Sequence, residues 1–186
     1  MFKNLLKIKN LKDTKVLAVT ALFAAISIVC GKFLAFNIGD TLRFSFENLP
    51  IIVIGIFFGP LNGMLCGIVA DLLGCLLRGY AINPILTLAA AFIGFSAGFV
   101  FSLLRRANVY FKSFITLFFC HSIGSVIIKT IGLCIWYGSP FGITIAQRIL
   151  NYIIVLFAEF FVLIILLKQK IFVKQIKKIS RYSNDV

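Results

Sequence analysis

Asp71, Lys129 and Arg148 each lie well inside an apolar run of this chain, and Arg43 and Arg78 lie at the ends of such runs. Ionisable groups placed this way are costly and face a bundle interior or a cavity. At about 1.5 Å per residue, Lys129 lies roughly 12 Å below Tyr137, and Arg148 roughly 10 Å below Phe141, which end their two runs. Adjacent antiparallel helices would hold these two cations level. Asp71 lies seven residues below Arg78. The set reads as one cavity with excess positive charge and an acid at its base. Arginine clamps a carboxylate with two parallel N–H donors. A carboxylate accepts paired N–H bonds from an aminopyrimidine-like edge. The chemistry is recognition of an organic anion that carries a hydrogen-bonding heterocycle. Phe44, Phe46, Tyr80 and Trp136 are placed to stack on a flat ring, and Asn83 and Thr87 add polar contacts.

Each assignment has a plainer reading. Arg78 can snorkel to the outer interface, and Lys32 reads as an interfacial anchor. Lys129 and Asp71 can pair with each other structurally. His121 with Glu159 reads as a structural polar pair in the lower half of the bundle. Missing motifs narrow the field further. Gly124 to Thr130 resembles a P-loop but lacks its second glycine and sits in an apolar run, so ATP hydrolysis through such a loop is excluded. The chain has one histidine, and no HExxH, CxxC or GxSxG, which leaves a hydrolase or redox enzyme without support. Its five cysteines, Cys30, Cys66, Cys75, Cys120 and Cys134, all lie in apolar runs and read as small buried hydrophobes. The expectation is a protein that is not an enzyme, with no metal site and no cofactor.

The elements that position these residues follow from composition. Of the 186 residues, 61% are hydrophobic and 13% charged, with a mean hydropathy of +1.05. That is the profile of a polytopic membrane protein, an all-α bundle in a lipid bilayer. The net charge of +13 does not point to nucleic acid, because of where the cations fall. All but Lys32, Arg43, Arg78, Lys129 and Arg148 precede the first apolar run, separate the fourth from the fifth, or follow the last. Positive charge at such positions marks cytoplasmic ends. The reading is therefore six transmembrane helices with both termini inside and an outward-facing pocket. The spans run from about 16 to 36, 44 to 58, 61 to 78, 85 to 104, 113 to 137 and 141 to 167. Residues 1–15 form a basic cytoplasmic lead-in, 16–167 the transmembrane domain and 168–186 a basic cytoplasmic tail. The first run lacks a cleavage pattern and is taken as a retained helix.

Small residues recur every four positions at Gly55, Gly59, Gly63 and Gly67, and the next step lands on Asp71. Gly59-Pro60 is a turn signal, so the ladder reads as two short helices meeting tightly. Ala90, Gly94 and Gly98 form a second close-packing face. Ala18, Ala21 and Ala25 share one face of the first helix, suited either to internal packing or to a partner.

The stretch TLRFSFENLPIIVIGIFFGPLNGMLCGIVADLLG, followed by GYAINPILTLAAAFIG, resembles the substrate-binding S components of energy-coupling factor (ECF) transporters. Within that superfamily it is similar to the folate-specific type. The resemblance implies a six-helix subunit of the cell membrane that binds folate or a related vitamin. Riboflavin, thiamine or pantothenate are alternatives, and a self-sufficient carrier or channel is the reading from another class. It implies a transmembrane coupling subunit, docked on the Ala18, Ala21 and Ala25 face, and two ATPase subunits that supply energy. The ligand set Arg43, Asp71, Lys129 and Arg148 rests on depth and charge, with Arg78, Tyr80, Asn83 and Thr87 beside it.

Overall fold

The computed structural model describes residues 13–33, 35–38 and 42–179. Its elements in order are α1 (Thr14–Phe33), β1 (Phe36–Ile38), β2 (Leu42–Phe44), α2 (Asn48–Phe58), α3 (Pro60–Arg78) and α4 (Pro84–Leu103). The next helix is broken into α5 (Val109–Cys120), a π-helical segment (His121–Ile128) and α6 (Lys129–Tyr137). Then come α7 (Phe141–Lys168) and α8 (Lys170–Ile179). Among the described residues, five helical stretches are long and apolar enough to cross a membrane: Thr14–Gly31, Pro60–Arg78, Pro84–Leu103, Val109–Tyr137 and Phe141–Lys168.

The second of the six expected spans takes a different form. Phe44 lies in a two-stranded antiparallel ribbon, opposite Phe36, and the helix starts only at Asn48. The eleven residues of α2 reach about 16 Å, roughly half of a hydrocarbon core. Every residue from Pro50 to Phe58 is buried, as a helix apolar all round must be. So α2 is the central post of the bundle, and the sequence alone could not separate a short span from a buried helix. Below its end sits α8, which the sequence reading leaves as basic tail. Phe172 meets the Phe57 ring edge-on at 5.7 Å, and Ile176 is buried. Lys170, Lys174 and Lys178 line the exposed face of α8.

Backbone-to-backbone packing holds the middle of the bundle. Gly59 takes φ 100°, a left-handed-side conformation that an L side chain resists, and this lets α2 turn directly into α3. The two faces of small residues then meet each other. A Cβ at Gly63 would run into the carbonyl oxygen of Gly94, one at Gly94 into that of Gly63, and one at Gly67 into that of Ala90. Gly55 and Gly98 face each other in the same way. Glycine here is a packing requirement, since lipid-embedded helices associate through close approach. On α1, Val16, Thr20, Ala24 and Ser27 are buried, and Ala18, Ala21 and Ala25 are exposed.

Gly94→Ala forces backbone atoms apart and is expected to destabilise the fold by about 1–3 kcal/mol. Gly142→Ala meets nothing within 4 Å and is expected to be neutral. Thermal unfolding of both variants in detergent checks the contrast; equal midpoints would contradict the packing account.

Candidate functional site

A cavity of about 520 Å³ lies between α1, α2, α3, α4 and the helices that follow. It runs from Tyr80 and Tyr137 at one end of the bundle to His121, Tyr152 and Val155 in its interior. Five of the residues singled out from sequence line it: Asp71, Arg78, Tyr80, Lys129 and Arg148. Helix α3 supplies the first two because Asp71 and Arg78, seven apart, share a face. Trp136 and Phe46 do not line the cavity, and Phe44 is buried within the ribbon. The side chain of Arg43 lies outside the described residues.

Asn83 and Thr87 act one layer back. Asn83 is buried; its amide donates to the Gly132 carbonyl at 3.0 Å, and its Oδ1 accepts from the Ile85 N–H at 3.0 Å. It is the N-cap of α4 and ties that helix to α6. Thr87 Oγ1 donates to Asp71 Oδ2 at 2.7 Å. This bond holds the carboxylate against the cavity wall with one oxygen already engaged.

The acid that organises the cations is Glu47, for which the sequence reading gave no ligand-site role. Glu47 Oε1 accepts from Lys129 Nζ at 3.1 Å, and Oε2 lies 3.9 Å from Arg78 Nη2. The plainer reading, in which Lys129 pairs with Asp71, gives way to a pair of Lys129 with Glu47. The one signal in the sequence is a carboxylate directly before an apolar run, since a charge carried to the edge of an apolar helix needs a cation nearby. Arg148 Nη1 donates to the Ser125 carbonyl at 3.2 Å, while its buried Nε has no partner among the described residues. Arg78, Lys129 and Arg148 thus share one cavity with Glu47 and Asp71.

The deep wall comes from the π-helical segment. His121, Ser125 and Lys129 recur at steps of four and all line the cavity. Segments of π-helix inside a longer helix are frequent at functional sites. Behind this wall His121 Nε2 lies 2.6 Å from Glu159 Oε2, with the side chains 2% and 0% exposed. The expected polar pair is present, and His121 also lies 3.0 Å from Ser125 Oγ. Gln147 and Asn151 add polar groups from α7.

A family model described as the ECF transporter, substrate-specific component, matches residues 15–179. The chain belongs to this family. Three solved structures share its fold. FolT with folic acid bound is 23% identical, with a TM-score of 0.65, covering 80% of this chain and 90% of that one. ThiT from Listeria monocytogenes is 22% identical, with a TM-score of 0.66, covering 83% and 94%. An S component of a bacterial ECF transporter is 22% identical, with a TM-score of 0.58, covering 83% and 98%. A Mycoplasma pneumoniae protein, an uncharacterized MG313 homolog, is 30% identical over 93 residues; the match spans half of this chain and 32% of that protein. Membership of this family, with the apolar helices, makes this ECF component a multi-pass membrane protein.

Asn83→Ala removes a cap and a buried bond, and is expected to cost about 1–2 kcal/mol of stability. Ligand affinity should stay unchanged, because Asn83 does not line the cavity. Thermal unfolding and calorimetry on one preparation separate the two effects, and lost affinity at full stability would return Asn83 to the site.

Proposed function

We propose that this chain is the vitamin-binding subunit of an uptake transporter in the cell membrane, and that its vitamin is a folate. The observation that carries the reading is the cluster of Arg78, Lys129 and Arg148 with two acids in one cavity of about 520 Å³. That volume falls within the usual range for small-molecule sites. Lys129 and Arg148 receive the carboxylates of the ligand, by the charge-assisted bonds that suit Arg and Lys. Asp71, steadied by Thr87, accepts paired N–H donors from a pterin-like ring, and Tyr80 covers the ring at the mouth. Glu47 keeps Lys129 and Arg78 compensated until the ligand's carboxylate arrives.

The chain hydrolyses no nucleotide in this reading. A transmembrane coupling subunit docks against the exposed Ala18, Ala21 and Ala25 face of α1, where small side chains allow close helix contact. Two ATPase subunits supply the energy. A second reading keeps the fold and changes the ligand to thiamine, riboflavin or pantothenate; its support is that the likeness to ThiT is as strong as that to FolT.

Mass spectrometry of the small molecule that co-purifies with the chain alone tests both. The proposal expects a folate at one per chain. Another vitamin would overturn the folate assignment and keep the transporter subunit. An empty protein that passes solute across liposomes without partners would overturn the binding-subunit reading itself.

A further inference from the structure

Five polar side chains lead from the cavity to the buried acid, each within 3.5 Å of the next. Lys129 Nζ lies 3.4 Å from Asn48 Oδ1. Asn48 Nδ2 lies 3.5 Å from Ser125 Oγ. Ser125 Oγ lies 3.0 Å from His121 Nδ1, and His121 Nε2 lies 2.6 Å from Glu159 Oε2. The two ends have fixed roles when Glu159 is ionised: an ammonium only donates, and a carboxylate only accepts. The three groups between them are ambivalent, since an amide can be turned over, a hydroxyl rotates and an imidazole has two tautomers.

With Glu159 ionised and His121 neutral, the two ends set one consistent direction for every bond. Lys129 can give only to the carbonyl oxygen of Asn48, which turns the Asn48 amide nitrogen toward Ser125. Ser125 Oγ accepts from Asn48 and keeps a second lone pair, so its own hydrogen is directed from the other end: a neutral imidazole that gives Nε2–H to Glu159 leaves Nδ1 to accept from Ser125. Nδ1 is then the unprotonated nitrogen, and the proton sits on Nε2, aimed at Glu159. We infer that Lys129, Asn48, Ser125, His121 and Glu159 form a one-way hydrogen-bond chain, in which Asn48, Ser125 and His121 are positioning residues that hold Lys129 in the cavity.

The chain also restricts the ligand. With its hydrogen committed to His121, the Ser125 hydroxyl meets the cavity as an acceptor, so a ligand group placed there has to donate. The role in holding Lys129 for a ligand rests on the binding function proposed above. The chain itself does not, and its test uses no ligand.

The sequence contains a single histidine, so the ring-15N spectrum of the full chain in detergent reports His121 alone. The expected spectrum shows a neutral imidazole with its proton on Nε2 and a hydrogen-bonded, unprotonated Nδ1. An imidazolium, or a proton on Nδ1, overturns the inference without any variant. The second arm is a cycle of substitutions. Lys129→Ala, which touches His121 nowhere, is expected to move the Nδ1 signal when Ser125 is present and to leave it in place in the Ser125→Ala background. A merely structural role for Ser125 predicts no such dependence. An Nδ1 signal that ignores Lys129, or follows it equally with and without Ser125, overturns the chain.

Discussion

The contact of glycine backbones of α2 and α3 with α4 is the constraint on which the other features of the bundle depend. Gly63 lies against Gly94, Gly67 against Ala90, and Gly55 against Gly98. No side chain stands between these helices, so α2, α3 and α4 form one narrow block. The cavity opens at the end of this seam, between α3, α4 and the pair formed by α6 and α7. Gly67 and Asp71 are four apart on α3. The helix that packs backbone-to-backbone on one side thus turns its acid toward the cavity and toward Thr87 of α4.

Charge inside an apolar bundle is the second constraint. Burying a lone cation costs far more than burying one with a partner. The cavity meets this with Glu47 between Lys129 and Arg78, Thr87 on Asp71 and the Ser125 carbonyl on Arg148. The arrangement is compensated yet open to exchange, because the groups that line it are held from behind. His121 and Glu159 lie at the back of this wall. Their burial keeps water from competing with the bonds that direct Ser125.

Much of this was legible in the sequence, for physical reasons that differ by residue. Span ends at Arg78, Tyr137 and Phe141 could be read because turn residues and apolar length are local signals, and Gly59-Pro60 marked the turn into α3. Depth along a helix follows from a fixed rise, which brought Asp71, Lys129 and Arg148 to one cavity. Long-range pairing was harder to read. The two faces of small residues were visible, but not that they meet each other. An apolar run of eleven residues does not say whether lipid or protein surrounds it, so α2 passed for a span. Glu47 was overlooked because its partners are distant in sequence, and α8 because basic residues mask the apolar face formed by Phe172, Val173 and Ile176. Asn83 and Thr87 look like ligand contacts in the sequence, since a polar residue at a helix start looks the same whether it caps, supports or binds.

The central claim is that cations of the cavity hold the anionic end of the ligand. Calorimetric titration with folic acid and with its dimethyl ester, the same molecule with both carboxylates neutralised, addresses it most directly. The account predicts that folic acid binds the unaltered chain about tenfold or more tightly, as charge-assisted bonds should give. The preference should shrink toward parity in Lys129→Ala and Arg148→Ala. Equal affinity for both ligands, or a preference that survives the loss of both cations, would contradict it.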